Sequence, residues 1–231
     1  MSNIELRPYS SFPNVYFSGS QKNLKLYTRN KYEAKRVYGE NVVSYGGIEY
    51  REWDPYRSKL AALLLLKPKL GIFLKNQVCL YLGASSGTTI SHLSDILSKG
   101  IIFGVEVAER SIRQLIQNTS QRKNIMPILG DANFPENYAK SIFVDADIVY
   151  QDVAQPNQAE IAIKNCNYYL KNSGYLIFAI KSQSIDSIEK SETIYREEKK
   201  SLVSNGYEIL ESVNIHKFAA NHIILIAQRT I

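Results

Sequence analysis

Tyr81-Leu82-Gly83-Ala84-Ser85-Ser86-Gly87-Thr88-Thr89 is the stretch on which the reading of this chain turns. An apolar run from Val78 ends in a turn too small-sided to be core, and a helix-like segment follows at once. Glycine and serine there let backbone come close to a ligand, because nothing larger than a hydroxymethyl blocks the approach. A loop of this kind at the carboxyl end of a strand predicts a nucleotide-type pocket, with Gly83 and Ala84 in its wall.

Downstream of the loop, strands and helices alternate. Apolar strand candidates are Val78–Leu82, Ile101–Val107, Met126–Leu129, Ala146–Tyr150, Gly174–Ile180, Tyr207–Ile215 and His222–Gln228. Helical patterns fall between most of them, at Thr88–Leu97, Ser111–Gln117, Asn157–Leu170 and Ser187–Ser204. Asn157 with Glu160 three residues on has the form of a capping box. Near-continuous apolar strands separated by helices predict a mostly parallel sheet covered on both faces. The connection between the last two strands is too short for a parallel crossover, so they form an antiparallel hairpin at the sheet edge. The expected fold is therefore α/β, a class I methyltransferase (Rossmann-like) seven-stranded sheet with an antiparallel terminal hairpin. That hairpin separates it from a plain dinucleotide-binding sheet.

Upstream, residues 1–53 read as a small antiparallel β-rich subdomain, with tyrosine-rich segments at Val15–Phe17, Leu24–Thr28, Asn41–Tyr45 and Gly46–Tyr50. Residues 54–231 read as the catalytic domain. Its first helix is expected to start at Asp54 as N-cap with Pro55 in the first turn, and to run through Leu60–Leu66 to a stop near Pro68.

At 231 residues the chain can bury a full core. No apolar stretch approaches 18 residues, so a membrane span is not expected. The start Met1–Pro8 has no apolar signal core, and Cys79 and Cys166 fall inside apparently buried elements; a reducing, cytoplasmic setting is expected. Net charge is +6, and residues 1–76 hold 13 Lys and Arg against 6 Asp and Glu, alongside eight of the 16 tyrosines. Basic residues interleaved with aromatics suit phosphates and unstacked bases, and equally suit a solvated face over a small sheet.

Three further strand ends carry acids. Glu106 stands where a carboxylate can accept both hydroxyls of a ribose, and Asp131 where an adenine amino group could be received. Asp152, in Gln151-Asp152-Val153-Ala154-Gln155-Pro156-Asn157, would face the crevice beside a reacting atom. Lys181 follows the apolar run Phe178–Ile180, and Lys59 lies on the first helix; the plain alternative for both is a solvated element end. His222 opens the last strand. His92 and His216 lack acidic or cysteine neighbours at ligand spacing, so no metal is assigned.

Taken together, Arg57-Ser58-Lys59-Leu60-Ala61-Ala62, Leu82–Thr89, Gly130-Asp131-Ala132 and Asp152–Glu160 resemble the fibrillarin family over nearly the whole chain. The resemblance implies an S-adenosylmethionine-dependent enzyme that methylates ribose 2′-hydroxyls of rRNA, and in some settings tRNA, at sites chosen by box C/D guide RNA. It implies a Nop-family scaffold protein and a kink-turn-binding ribosomal-type protein as partners. It extends the cofactor pocket from Gly83 and Ala84 to Thr88, Thr89, Glu106, Val107, Asp131, Ala132, Asp152, Val153, Ala154 and Gln155. Its Lys-Asp-Lys-His set falls on Lys59, Asp152, Lys181 and His222. Two departures stand out. Asn221 occupies a position that is commonly acidic in the family, and the glycine- and arginine-rich tail of eukaryotic members is absent, as in the shorter archaeal form. Competing readings are a stand-alone RNA methyltransferase, a dinucleotide oxidoreductase supported only by the glycine turn and Glu106, and a non-catalytic assembly subunit.

Overall fold

A computed structural model describes residues 4–20, 23–32 and 35–230. Met1–Asn3, part of the segment read for a targeting signal, lie outside the described residues. Among the described residues no helix is long and apolar enough to cross a membrane.

The first sheet comprises β1 (Arg7–Pro8), β2 (Val15–Ser18), β3 (Lys25–Arg29), β4 (Val42–Tyr45) and β5 (Ile48–Trp53), in the order β1-β2-β3-β5-β4. All its pairings are antiparallel. Gly46 and Gly47, expected within a strand, instead form the two-residue turn between β4 and β5. Both have positive φ, the geometry that matches the twist of a tight hairpin.

The first helix begins later than expected. Asp54 does not cap it: its Oδ1 accepts from the Tyr56 amide at 2.8 Å and closes a turn of its own. Helix α1 spans Lys59–Leu65, and Ser58 is the N-cap, its hydroxyl accepting from the Ala61 amide. A proline-containing turn and a helix start share the Asp-Pro signature. Here the apolar face Leu60–Leu64, fully buried, sets where the helix begins.

The second sheet is built from β6 (Val78–Leu82), β7 (Ile101–Glu106), β8 (Ile125–Leu129), β9 (Ala146–Gln151), β10 (Leu170–Lys181), β11 (Tyr207–Asn214) and β12 (His222–Arg229). Its order is β11-β12-β10-β9-β6-β7-β8. Strands β6 to β10 run parallel, while β12 is antiparallel to both β10 and β11. This is the class I methyltransferase arrangement. The order reverses between β6 and β9, which makes their carboxyl ends the topological switch point where crevices open in such sheets.

Helices α2 (Thr88–Ile96) and α3 (Glu109–Thr119) share one face with α1 and the first sheet. There Phe12, Leu26 and Trp53 join Leu60, Leu93, Leu115 and Ile177 in one buried cluster. Helices α4 (Gln158–Tyr169) and α6 (Ser191–Ser204) close the opposite face over Leu80, Val149 and Phe178. The short helix α5 (Ser182–Ile185) follows β10, and a 3-10 helix covers Pro135–Ser141. Asn157 does precede α4, but its amide donates to Asn133 at 2.9 Å and only weakly to Glu160 at 3.4 Å, so the capping box is not formed.

A buried polar network ties the first sheet to α2. Arg51, fully buried, donates to Glu40 at 2.6 Å and to Asp95 at 2.7 Å, while Arg122 reaches the other Asp95 oxygen at 2.6 Å. His92 stacks on Trp53, with one ring nitrogen bonded to Thr28 and the other to Tyr38. Two cations face two anions, so the network is balanced as well as hydrogen-bonded, as buried charges require.

Candidate active site

At the β6–β9 switch point the glycine loop meets the end of β9. Gly83 sits at φ +85°, and a methyl group there would strike the carbonyl of Asp152. Ser85 and Gly87 also have positive φ, so the loop winds tightly before α2 begins at Thr88. Glu106 fixes the far side of this turn. One carboxylate oxygen accepts from the Ser85 amide and the other from the Ala108 amide, both at 2.8 Å. Each oxygen keeps capacity for a further donor.

Two adjoining cavities open here. One, of about 270 Å³, is bordered by Glu106, Val107, Asp131, Ala132 and Gln155. The other, of about 400 Å³, is bordered by Lys59, Ala84, Thr88, Thr89, Lys181 and His222. Gly83, Asp152, Val153 and Ala154 border both, which makes the two spaces one bent crevice. Every residue singled out from the sequence thus lies along it. In the smaller arm, Asn133 holds Asp131 Oδ1 through its backbone amide and its side-chain amide, each at 2.9 Å.

The larger arm gathers the charged set by sheet topology. Lys181 ends β10 and is the direct cross-strand partner of His222, which starts antiparallel β12. Lys59 enters from α1, and its Nζ lies 2.8 Å and 3.1 Å from the two Asp152 oxygens. Below them the rings of Tyr81 and Tyr150, paired across β6 and β9, lie 4.6 Å apart. Burial drives both hydroxyls well above their ordinary pKa of 10, so neither supplies a base near neutral pH.

His222 is the informative group. Its Nδ1 lies 2.6 Å from the Ala220 carbonyl, and a carbonyl only accepts, so Nδ1 carries the hydrogen. Nε2 is left as a bare lone pair, buried and without a partner among the described residues. Burial lowers the His222 pKa from 6.5, and Lys59 and Lys181 push the same way against the Ala220 bond and Asp152. The ring is neutral at neutral pH. The backbone of Ala220 orients it, so an acidic side chain at 221 is not needed for that task. Asn221 instead adopts φ +58°, a conformation asparagine tolerates well.

Arg57, Tyr81, Ser85 and Gly130 also border the crevice but stand out in the sequence only as members of longer strings, and Asn133 and Ala219 carry no sequence signal at all. Ala219 belongs to the β11–β12 loop and reaches the crevice only because the hairpin folds back. Ser58 was visible only as part of the string before Lys59. It accepts from the Thr89 hydroxyl at 2.9 Å and so ties the start of α1 to the start of α2. Among the described residues no group of three His, Cys, Asp or Glu could hold a metal ion.

The sheet order, the terminal hairpin and a crevice at the switch point define a class I methyltransferase architecture. The fibrillarin family model matches residues 6–230, and this chain belongs to the fibrillarin family. A fibrillarin-like rRNA/tRNA 2′-O-methyltransferase of Methanocaldococcus jannaschii is 43% identical over 216 residues, covering 93% of this chain and 94% of the relative. The crystal structure of Aeropyrum pernix fibrillarin in complex with natively bound S-adenosyl-L-methionine superposes with a TM-score of 0.89. It is 40% identical, covering 98% of this chain and 100% of that one. Fibrillarin in a fibrillarin/Nop5p complex gives 0.81 at 38% identity, covering 89% and 94%. Family membership and the antiparallel hairpin together set the oxidoreductase reading aside.

Proposed function

We propose that this chain transfers a methyl group from S-adenosylmethionine to ribose 2′-hydroxyls of rRNA and tRNA, at nucleotides chosen by box C/D guide RNA. One observation carries the reading: Lys59, Asp152, Lys181 and His222, drawn from four separate elements, converge on one crevice beside the Gly83 loop. The crevice suits the donor. Gly83 leaves room where any side chain would collide, and Glu106 presents a fixed carboxylate for the ribose hydroxyls. Asp131 offers its free oxygen to the adenine amino group. Thr88, Thr89, Val107, Ala132, Val153, Ala154 and Gln155 complete the wall, with the Thr89 hydroxyl already committed to Ser58.

Bound S-adenosylmethionine supplies an electrophilic methyl on a sulfonium. The chain's own work is to seat the ribose hydroxyl in line with that methyl and to take its proton. Positioning of this kind can contribute roughly 7–11 kcal/mol. His222 Nε2, the unpartnered acceptor, takes the proton, and Asp152 stabilises the imidazolium that results. Lys181 and Lys59 hold the negative charge that develops on oxygen, in a site where such contacts are stronger than in water. Lys59 also keeps Asp152 in place through two contacts.

A Nop-family scaffold and a kink-turn-binding ribosomal-type protein belong to the same proposal, because guide pairing would select the target and the chain need not read sequence itself. So does the division into residues 1–53 and 54–231, although the two parts share one buried cluster. A cytoplasmic setting fits the two buried free thiols. The test is reconstitution with box C/D guide, partners and labelled donor, followed by mapping of 2′-O-methylation. Product at the guide-specified nucleotide is expected, with the isolated chain binding donor yet transferring poorly. Near-wild-type single-turnover rates in both Asp152→Ala and Lys181→Ala would sink the assignment. Efficient, site-specific transfer by the chain alone would favour the stand-alone reading.

A further inference from the structure

Beside the catalytic crevice lies another cavity, of about 680 Å³, within the roughly 300–1,000 Å³ typical of ligand sites. Two of the rings that line it each stand one residue along the chain from a residue bordering the crevice. Tyr56 and Phe218 meet edge to face with centroids 5.4 Å apart. Each belongs to a segment that faces both spaces: Tyr56 borders the new cavity and Arg57 the crevice, while Phe218 borders the cavity and Ala219 the crevice. One residue of chain separates the two compartments on either side. Tyr56 is 68% exposed, and its hydroxyl makes no hydrogen bond among the described residues. Core packing does not account for a large ring held in that way.

The crevice carries a basic excess, whereas the cavity beyond the rings holds two cations and two acids. In the crevice Arg57, Lys59 and Lys181 face one carboxylate, Asp152. Beyond it the Lys217 ammonium lies 5.5 Å from the centre of the Phe218 ring, with no carboxylate in ion-pair range among the described residues. Two acids also border the cavity, and of these only Glu52 is ion-paired among the described residues. Glu52 is held by Lys25 at 2.9 Å and by Asn41 at 3.1 Å, and Asp54 accepts from the Tyr56 amide. Beside the Tyr56 and Phe218 rings, the charged lining groups that make no ion pair among the described residues are thus the Lys217 cation and the Asp54 carboxylate; rings beside a cation are the pair of features that single-stranded nucleic-acid sites combine.

We infer that this cavity is a subsite for the RNA strand being methylated, seating the nucleotide next to the modified one. Lys217 meets the connecting phosphate, and Tyr56 and Phe218 stack on the neighbouring sugar and base. The inference rests on the ribose 2′-O-methylation reading above. A protein partner as occupant is the alternative outcome of the test.

The assembled guide ribonucleoprotein is prepared with wild-type chain, Tyr56→Ala and Lys217→Ala, and single-turnover transfer is titrated against target RNA. Donor binding to each chain is measured separately by calorimetry. Tyr56→Ala is expected to raise the RNA concentration for half-maximal rate about tenfold, leaving the saturated rate and donor affinity within twofold. Lys217→Ala is expected to lower the slope of log affinity against log salt by about 0.7. A 4-thiouridine beside the target nucleotide should crosslink to the Tyr56–Phe218 region in the wild-type assembly. Unchanged RNA dependence in both variants, with no crosslink, overturns the subsite while the wild-type control still transfers methyl. Failure of a variant to assemble with the scaffold, with RNA binding intact, gives the cavity to a protein and overturns it too. A wild-type assembly that transfers nothing defeats the functional reading itself, and this inference with it.

Discussion

Gly83→Ala tests whether the close approach of the glycine loop to β9 holds the catalytic geometry. A β-carbon there would sit 3.0 Å from the Asp152 carbonyl carbon and 3.3 Å from Val153 Cγ1, with the carbonyl oxygen nearer still. Ordinary contact begins near 3.4 Å, so relief requires the end of β9 to move. Asp152 is the residue displaced, and its two contacts with Lys59 go with it. A misplacement of about 1 Å at reacting groups can cost roughly 100-fold in rate. The φ of +85° adds a separate penalty of about 1–2 kcal/mol for alanine. Gly47→Ala supplies the control, since Gly47 is also at positive φ, +76°, but an added methyl meets nothing within 4 Å. Gly47→Ala should therefore lose a few degrees in melting temperature, and Gly83→Ala more, because only the latter adds the clash to the φ penalty. Only Gly83→Ala should lose about 100-fold in single-turnover transfer at saturating donor. A Gly83→Ala rate within threefold of wild type would refute the link between loop approach and Asp152 placement, and so would an equal rate loss in Gly47→Ala.

Four more outcomes are expected. With His222 as base, the single-turnover rate should climb as pH rises through a midpoint below 6.5 and stay flat above it, because burial of the ring disfavours its charged form and Lys59 and Lys181 add to that effect. His222→Asn should abolish that limb and slow transfer by about 10²–10⁴-fold, whereas a midpoint above 8 that disappears in Lys181→Ala would assign the base to lysine. Arg51→Met should destabilise the fold by about 3–5 kcal/mol by leaving buried carboxylates short of a partner, and a denaturant midpoint near wild type would show the network to be dispensable. His92 has its pKa held well below 6.5 by burial and by Arg51 and Arg122. The unfolded chain thus binds the extra proton first, and stability should fall as pH drops below about 6.5 by up to ~1.4 kcal/mol per unit, a slope that equilibrium unfolding between pH 5 and 7 measures. Cys79 and Cys166 are both pushed to about 12 by burial, so native protein should leave a thiol reagent unreacted until denaturant is added; fast labelling would contradict their burial.

Much of the second sheet was legible because most of its strands are apolar almost without interruption and are separated by segments of helical pattern. The crevice was legible for the same reason: strand ends at a switch point place Gly83, Glu106, Asp131 and Asp152 together whatever the helices do. Lys181 and His222 are harder, since only the antiparallel insertion of β12 makes them neighbours. The errors are local. Asp54-Pro55 and Asn157-Glu160 both carry helix-start signatures, and in each the side chain found another partner, the Tyr56 amide in one case and Asn133 in the other. The Arg51–Asp95–Arg122 network was invisible. It joins charges 44 and 27 residues apart, and nothing in a sequence marks a charged residue as fully buried.

The place of β12 has a consequence for how the enzyme comes into being. This strand follows both β10 and β11 in sequence, yet it lies between them in the sheet. A chain emerging from the ribosome cannot complete the sheet in order. It must hold β11 aside until the final eight-residue strand slides in. His222 opens that strand, so the proposed base joins the crevice only when the sheet closes. With His222 as the base, a chain cut before β12 that keeps the glycine loop, Glu106 and Asp131 would hold a donor pocket without the group that takes the proton, so removal of this one strand should separate donor binding from methyl transfer.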